Sequence, residues 1–336
     1  MHEITAPVAL CQPGTGRLNS DAVGWSRVPL QDCHISGRWP RKKKWNYWAF
    51  TSDTHLFSVT VSDLDYAAMA FVYLADFVAG TVEEDSVLVP LGRGVELPDL
   101  VGDNVMFDRG GLSISMLHDG PDVQIEVAMP NFAGQGLTAS MTATYPDAHE
   151  TLNVVIPWST LHFQFTAKHN TLPARGSVSI GEQNVAAFDE VSSFACLDFG
   201  RGVWKYRSTW NWGAGSGVVD GRTIGLNLGG QWTNGTGMTE NAICVDGRIS
   251  YIGEDLEWQY DPADWARPWF IRAPSGAVDV AFEPFLEREA KTNVGLVRSE
   301  VHQMFGTYTG IVHDSDGTSH SVDGIVGWAE DHVAAW

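Results

Sequence analysis

The stretch Leu112-Ser-Ile-Ser-Met-Leu-His-Asp-Gly-Pro-Asp-Val-Gln-Ile-Glu-Val127 alternates apolar and polar side chains on both sides of Asp119-Gly120-Pro121. Period-two alternation puts successive side chains on opposite faces of a strand, and a turn tripeptide between two such runs reads as a β-hairpin. The same pattern recurs along the chain. Phe57-Ser-Val-Thr-Val-Ser-Asp63 alternates strictly, and Asp220-Gly221, Asp246-Gly247 and Asp316-Gly317 each separate apolar runs. Helical period is nearly absent; one or two turns are expected over residues 285–291. Many short strands between turn signals predict an all-β protein built as barrels or sandwiches.

Length sets the number of units. At roughly 150 residues per domain, 336 residues suggest two units or one large β unit. A polar, proline-containing stretch at 168–175 lies near the midpoint, so the expected division is 1–175 and 176–336.

Composition narrows the function classes. Lys and Arg total 21 against 41 Asp and Glu, a net charge of −20, which argues against a nucleic-acid partner because phosphates need basic surface. No apolar run reaches the ~18 residues of a spanning helix, so stable membrane insertion is not expected. The N-terminus lacks the basic and apolar regions of a signal peptide, which predicts a cytoplasmic protein. Cys11, Cys33, Cys196 and Cys244 share no short spacing and read as isolated small hydrophobes. No P-loop, dinucleotide fingerprint, HExxH or nucleophile-elbow motif occurs; Gly213-Ala-Gly-Ser-Gly217 puts Ser216 at the wrong offset for the last of these. No metal and no cofactor are therefore expected.

The fourteen Trp are the compositional excess that bears on function. If 204–212 is a strand, period two puts Trp204, Tyr206, Ser208, Trp210 and Trp212 on one face, either as core or as the wall of a cavity. In Thr223-Ile-Gly-Leu-Asn-Leu-Gly229 the face opposite the aliphatics carries Gly225, Asn227 and Gly229, and interior glycines mark close approach of a ligand or another chain segment. Glu240 and Asn241 then lead into the apolar run Ala242-Ile-Cys-Val245. Glu240 is either a strand-end cap or an acid whose burial raises its pKa toward a proton-donating range. Asp63 and Asp65 read as the solvated end of a strand, and Arg298, Glu300 and His302 as a wet outer face. The basic run Arg41-Lys42-Lys43-Lys44, with Arg38 before it, reads either as a guide for an anionic substrate or as a solvated loop paired with the acidic body.

Taken in order, Cys11-Gln-Pro-Gly-Thr-Gly-Arg-Leu-Asn, Gly24-Trp-Ser, Arg41-Lys-Lys-Lys-Trp-Asn-Tyr-Trp48, Asp63-Leu-Asp-Tyr66, Trp210-Asn-Trp-Gly213, Thr239-Glu-Asn241 and Gly327-Trp-Ala-Glu330 resemble a bacterial domain-of-unknown-function family (2804). That family is itself similar to the carotenoid-hydratase-like lipocalin double barrels. The resemblance implies two calycin-like antiparallel β-barrels in one chain, and an apolar cavity in which an acid protonates a double bond. With the residue chemistry above, the expected function is a cofactor-independent hydratase, isomerase or cyclase acting at a C=C bond of a hydrophobic, terpenoid or lipid-like molecule. Glu240 would be the proton donor, Asn227 and Asn241 would orient water or a substrate oxygen, and Trp204, Tyr206, Trp210 and Trp212 would form the wall. The alternative is a lipocalin-like carrier or sensor that binds such a ligand without chemistry.

Overall fold

A computed structural model describes residues 2–294 and 297–336. Two antiparallel sheets follow one another along the chain. The first runs, in spatial order, Thr81–Pro90, Ala67–Asp76, His55–Asp63, Lys42–Thr51, Phe194–Val203, Phe163–Ile180, Leu137–Thr144, Asp122–Met129, Leu112–Asp119 and Val105–Arg109. The second runs Arg248–Ile252, Asn241–Val245, Arg222–Gly230, Arg207–Val219, Ile325–Ala335, Val297–His313, Val278–Val294, Trp269–Arg272 and Glu257–Gln259. Each curls until its edges approach. A Cβ on Gly110 would lie 2.5 Å from Val87, and Trp258 of the last strand donates to the Gly229 carbonyl at 3.3 Å. The fold is therefore all-β, two lipocalin-like, nearly closed antiparallel barrels. Among the described residues no helix is long and apolar enough to cross a membrane.

The hairpin signals are read correctly by local chemistry. Asp119 pairs with Asp122 across Gly120-Pro121, as the alternation requires. Asp220-Gly221 and Asp246-Gly247 both have positive φ at each residue (51°, 74° and 48°, 77°), the backbone that matches strand twist in two-residue hairpins. Two expectations fail. Residues 285–291 are not helical; they lie in the strand Val278–Val294, paired along its length with Val297–His313. Sheet pairing outweighs the weak local helix preference of Glu-Arg-Glu-Ala-Lys. The basic run is not a solvated loop either: Lys42, Lys43 and Lys44 open the strand Lys42–Thr51, and Lys43 is fully buried. Residue 175 falls inside the strand Phe163–Ile180, and the chain passes from the first sheet to the second between Val203 and Arg207.

Alternation in the first sheet has an unusual outcome. Phe57, Val59 and Val61 fill the first barrel, as their face demands, but Ser58, Thr60 and Ser62 on the opposite face are also buried. That face is covered by the second sheet. A separate apolar cluster joins Tyr47, Ala49, Tyr73 and Cys196 of the first sheet to Trp212, Ala214, Phe305 and Trp328 of the second. The seam between the barrels is thus a core with polar residues on one wall and indoles on the other.

Candidate active site at the seam between the barrels

Strand register builds the site. In the first sheet Lys168 pairs with Asp198, and Asp198 with Tyr47, so their side chains lie in one row on the seam-facing side. Lys168 Nζ is 3.0 Å from Asp198 Oδ2 and reaches across to Glu240 Oε2 at 3.2 Å. The ammonium also lies 3.9 Å from the centroid of the Trp212 ring, a cation–π contact. All three charged groups are buried. Two carboxylates therefore share one ammonium in a dry environment, leaving one uncompensated negative charge.

Burial favours the protonated form of Glu240. Its side chain is wholly enclosed; Oε1 accepts the Trp232 indole N–H, while Oε2 faces Lys168 without an aligned hydrogen bond. Asp198 by contrast accepts from Thr166 Oγ1 at 3.0 Å. Burial pushes the Glu240 carboxyl up, outweighing the pull of Lys168. Burial works against the Lys168 charge, but Asp198 and Glu240 together hold its pKa above that of an ordinary lysine. Gly229 makes the room, since a Cβ there would come within 2.3 Å of Glu240 Cγ.

Beside this triad stands a cluster of six tryptophans. Trp204, buried, is its centre, with ring centroids of Trp158 at 4.8 Å, Trp232 at 5.5 Å, Trp336 at 5.7 Å, and Trp45 and Trp210 at 5.8 Å. The five outer rings are half-buried, so the cluster reaches the surface. Two of its indoles point inward at acids: Trp232 at Glu240, and Trp210 Nε1 at Glu330 Oε1, 3.1 Å away. Burial drives the Glu330 carboxyl up to about 7 against the Trp210 hydrogen bond.

Of the residues singled out in the sequence, Glu240, Trp204, Trp210 and Trp212 do meet here. The strand begins at Arg207, so Trp204 arrives from the preceding crossover, and Tyr206 is exposed with the Arg41 guanidinium 6.0 Å from its ring. Both amides are engaged in holding the fold. Asn227 accepts from Trp212 Nε1 at 2.9 Å and donates to the Glu240 carbonyl; Asn241 accepts from the Gly229 N–H at 2.6 Å and donates to the Glu254 carbonyl at 3.0 Å. Gly225 opens a close approach to the first barrel, whose Thr171 and Asn170 a Cβ would meet at 2.5 and 2.8 Å.

Lys168, Asp198, Glu330 and Trp232 escape the sequence reading. Phe163-Gln-Phe-Thr-Ala-Lys168 carries the signal for Lys168, because its apolar face implies a strand whose other face holds Gln164, Thr166 and Lys168. Asp63 ends a strand as expected, with Oδ1 accepting the Asp65 N–H at 2.7 Å, but Asp65 is not solvated: its side chain is 9% exposed and lies 3.4 Å from Lys42 Nζ. The four cysteines are buried and unpaired. His302 is less wet than its charged neighbours suggest; it stacks on Trp265 at 4.4 Å and hydrogen-bonds Glu287 at 2.7 Å.

A double barrel with a polar and aromatic seam defines the class: a lipocalin-like double-barrel protein. The chain belongs to the family described as Domain of unknown function (DUF2804), whose model matches residues 1–336. Among solved structures it is similar to CghA with Sch210972, at TM-score 0.55 and 14% identity over 97% of both chains. It is also similar to an AttH-like protein from Nitrosomonas europaea, at TM-score 0.53 and 11% identity over 87% of this chain and 92% of that one. A search of curated protein sequences finds no match to this chain.

Proposed function

We propose that the protein is a cofactor-independent enzyme that moves a proton at a C=C bond of a hydrophobic small molecule, of the hydratase, isomerase or cyclase type. The observation that carries the reading is the enclosed Glu240 carboxyl, whose pKa burial raises while Asp198 and Glu240 share the single Lys168 ammonium. An acid whose burial favours its protonated form, beside an indole wall, is suited to protonate an alkene carbon. Aromatic faces then stabilise the developing cation by roughly 0.5–2 kcal/mol per ring. Glu330, the second acid under the wall, lies near neutrality and is suited to take a proton back.

The roles first assigned to Asn227 and Asn241 are not retained, because their hydrogen-bonding capacity goes to Trp212, Gly229 and main-chain carbonyls. That same observation favours the second reading, a carrier, which needs the indole wall and no oriented water. Incubating the protein with co-purified or offered terpenoid and lipid ligands, followed by mass spectrometry, separates the two. Catalysis predicts a product shifted by the mass of water or altered in retention, lost in Glu240→Gln with the fold kept. Ligand returned unchanged, or full turnover by Glu240→Gln, would overturn the assignment.

A further inference from the structure

One end of the seam gathers cations in a protein of net charge −20. Arg41 donates to the Trp204 carbonyl and to the main-chain oxygen of Trp336, and its own N–H bonds the Arg38 carbonyl. Lys205 Nζ lies 6.0 Å from the Trp158 ring, and Lys43 Nζ lies 5.7 Å from that of Trp336. Burial and the charge of Arg38, Arg41 and Lys205 depress the pKa of nearby His162. Among the described residues no carboxylate stands within ion-pair distance of Arg38, Lys43 or Lys205.

The same end holds donors with no acceptor. Tyr66 Oη, Trp336 Nε1, Gln164 Nε2 and Arg38 Nε are buried and unpartnered. Lys43 sits among them, fully enclosed, with Nζ 4.5 Å from the Tyr66 ring centroid. It donates to Leu64 O at 2.8 Å and Pro40 O at 3.5 Å, which leaves one of its three N–H bonds. A buried donor without an acceptor is costly, and Tyr66 and Trp336, which carry two of these donors, both stand beside Lys43 Nζ.

We propose that the ligand of the tryptophan seam is an anionic amphiphile, an apolar body lying on the indoles with a carboxylate held by Lys43, Tyr66 and the Trp336 N–H. The charge follows from the donors. Burial and Arg41 lower the Lys43 pKa to about 7 against the pull of Asp65 and Asp63, so a bound anion would favour its charged form, and the neutral O–H and N–H complete a set that fits a monoanionic carboxylate better than a dianionic phosphate. The proposal rests on the seam being the ligand site, and it names the substrate class which that reading leaves open.

The test is a tryptophan-fluorescence titration of the full chain with dodecanoate, dodecanol and dodecyl phosphate, all below their aggregation limits. Dodecanoate is expected to bind about 10-fold or more tighter than dodecanol, the effect of one charge-assisted hydrogen bond in an enclosed site. Lys43→Met is expected to abolish that preference, with circular dichroism and thermal unfolding reporting that the variant is folded. Tyr66→Phe, which removes only the unpartnered oxygen, is expected to lower the preference about threefold, and it decides the matter alone if Lys43→Met does not fold. Equal binding of acid and alcohol, tighter binding of the phosphate, or a preference that survives both substitutions would overturn the proposal and leave the seam reading standing. Failure of every probe to bind would overturn both. Co-sedimentation with phosphatidylglycerol vesicles without binding of monomeric dodecanoate would overturn it in favour of a membrane surface.

Discussion

Lys168 Nζ lies 3.2 Å from Glu240 Oε2, and the two residues come from different barrels. Lys168 stands on the strand Phe163–Ile180 of the first sheet; Glu240 directly precedes the strand Asn241–Val245 of the second. The contact therefore joins the barrels beside their shared apolar cluster and sets Lys168 against the burial that raises the Glu240 pKa.

Removing the ammonium should be costly and largely rescuable. Lys168→Met leaves Asp198 and Glu240 buried without their shared cation, and breaking a buried charge set in this way costs about 3–5 kcal/mol. Lys168→Met/Asp198→Asn/Glu240→Gln, in which no charge remains, should recover most of that loss. Urea denaturation of the three proteins at pH 7 measures the difference.

Glu330 should make stability depend on pH in a set direction. Its native pKa of about 7 stands above the ordinary 4.5, so folding favours the protonated form. Below pH 4.5 both folded and unfolded states are protonated and no penalty arises. Between 4.5 and 7 only the unfolded state ionises, so native stability falls as pH rises and levels off above 7. Glu330→Gln, neutral throughout, should gain up to about 3 kcal/mol relative to the parent between pH 4 and pH 8. Urea midpoints at several pH values read this directly, and a pH-independent difference would refute it.

Gly229→Ala tests the packing around the acid. The new Cβ would lie 2.3 Å from Glu240 Cγ, 2.4 Å from Oε1 and 2.7 Å from Cδ, at a position with no positive φ to complicate the result. Overpacking of this kind costs about 1–3 kcal/mol, and the displaced carboxylate should also lose turnover. Thermal unfolding and product formation should fall together.

The cysteines should be silent in the native state. All four are buried, and burial raises each thiol pKa well above its ordinary value. Ellman's reagent at pH 8 should label none within minutes and four once the chain is unfolded. Rapid labelling of the native protein would show the barrels to open readily.

Much of the fold is local information. Hairpins at Asp220-Gly221 and Asp246-Gly247 are written in turn residues that accept positive φ, and strict alternation at Phe57–Asp63 and Leu112–Val127 leaves only strands as a solution. The helix expected over residues 285–291 shows the limit. Glu-Arg-Glu-Ala-Lys favours a helix in isolation, yet pairing with Val297–His313 decides its state.

The candidate site divides in the same way. The chain by itself determined a set of tryptophans, one acid at a strand entrance and a glycine-bearing strand beside it, because composition and period are properties of neighbours in sequence. Only the tertiary structure decided that these residues face another barrel. A polar face such as Ser58, Thr60, Ser62 or Gln164, Thr166, Lys168 reads identically whether water or a second sheet covers it. Burial by the second sheet turns Lys168 from a surface cation into the shared counterion of Asp198 and Glu240. Strand alternation is encoded over a few residues, whereas the surroundings of the Lys168 charge are set by residues 30 and 72 positions away.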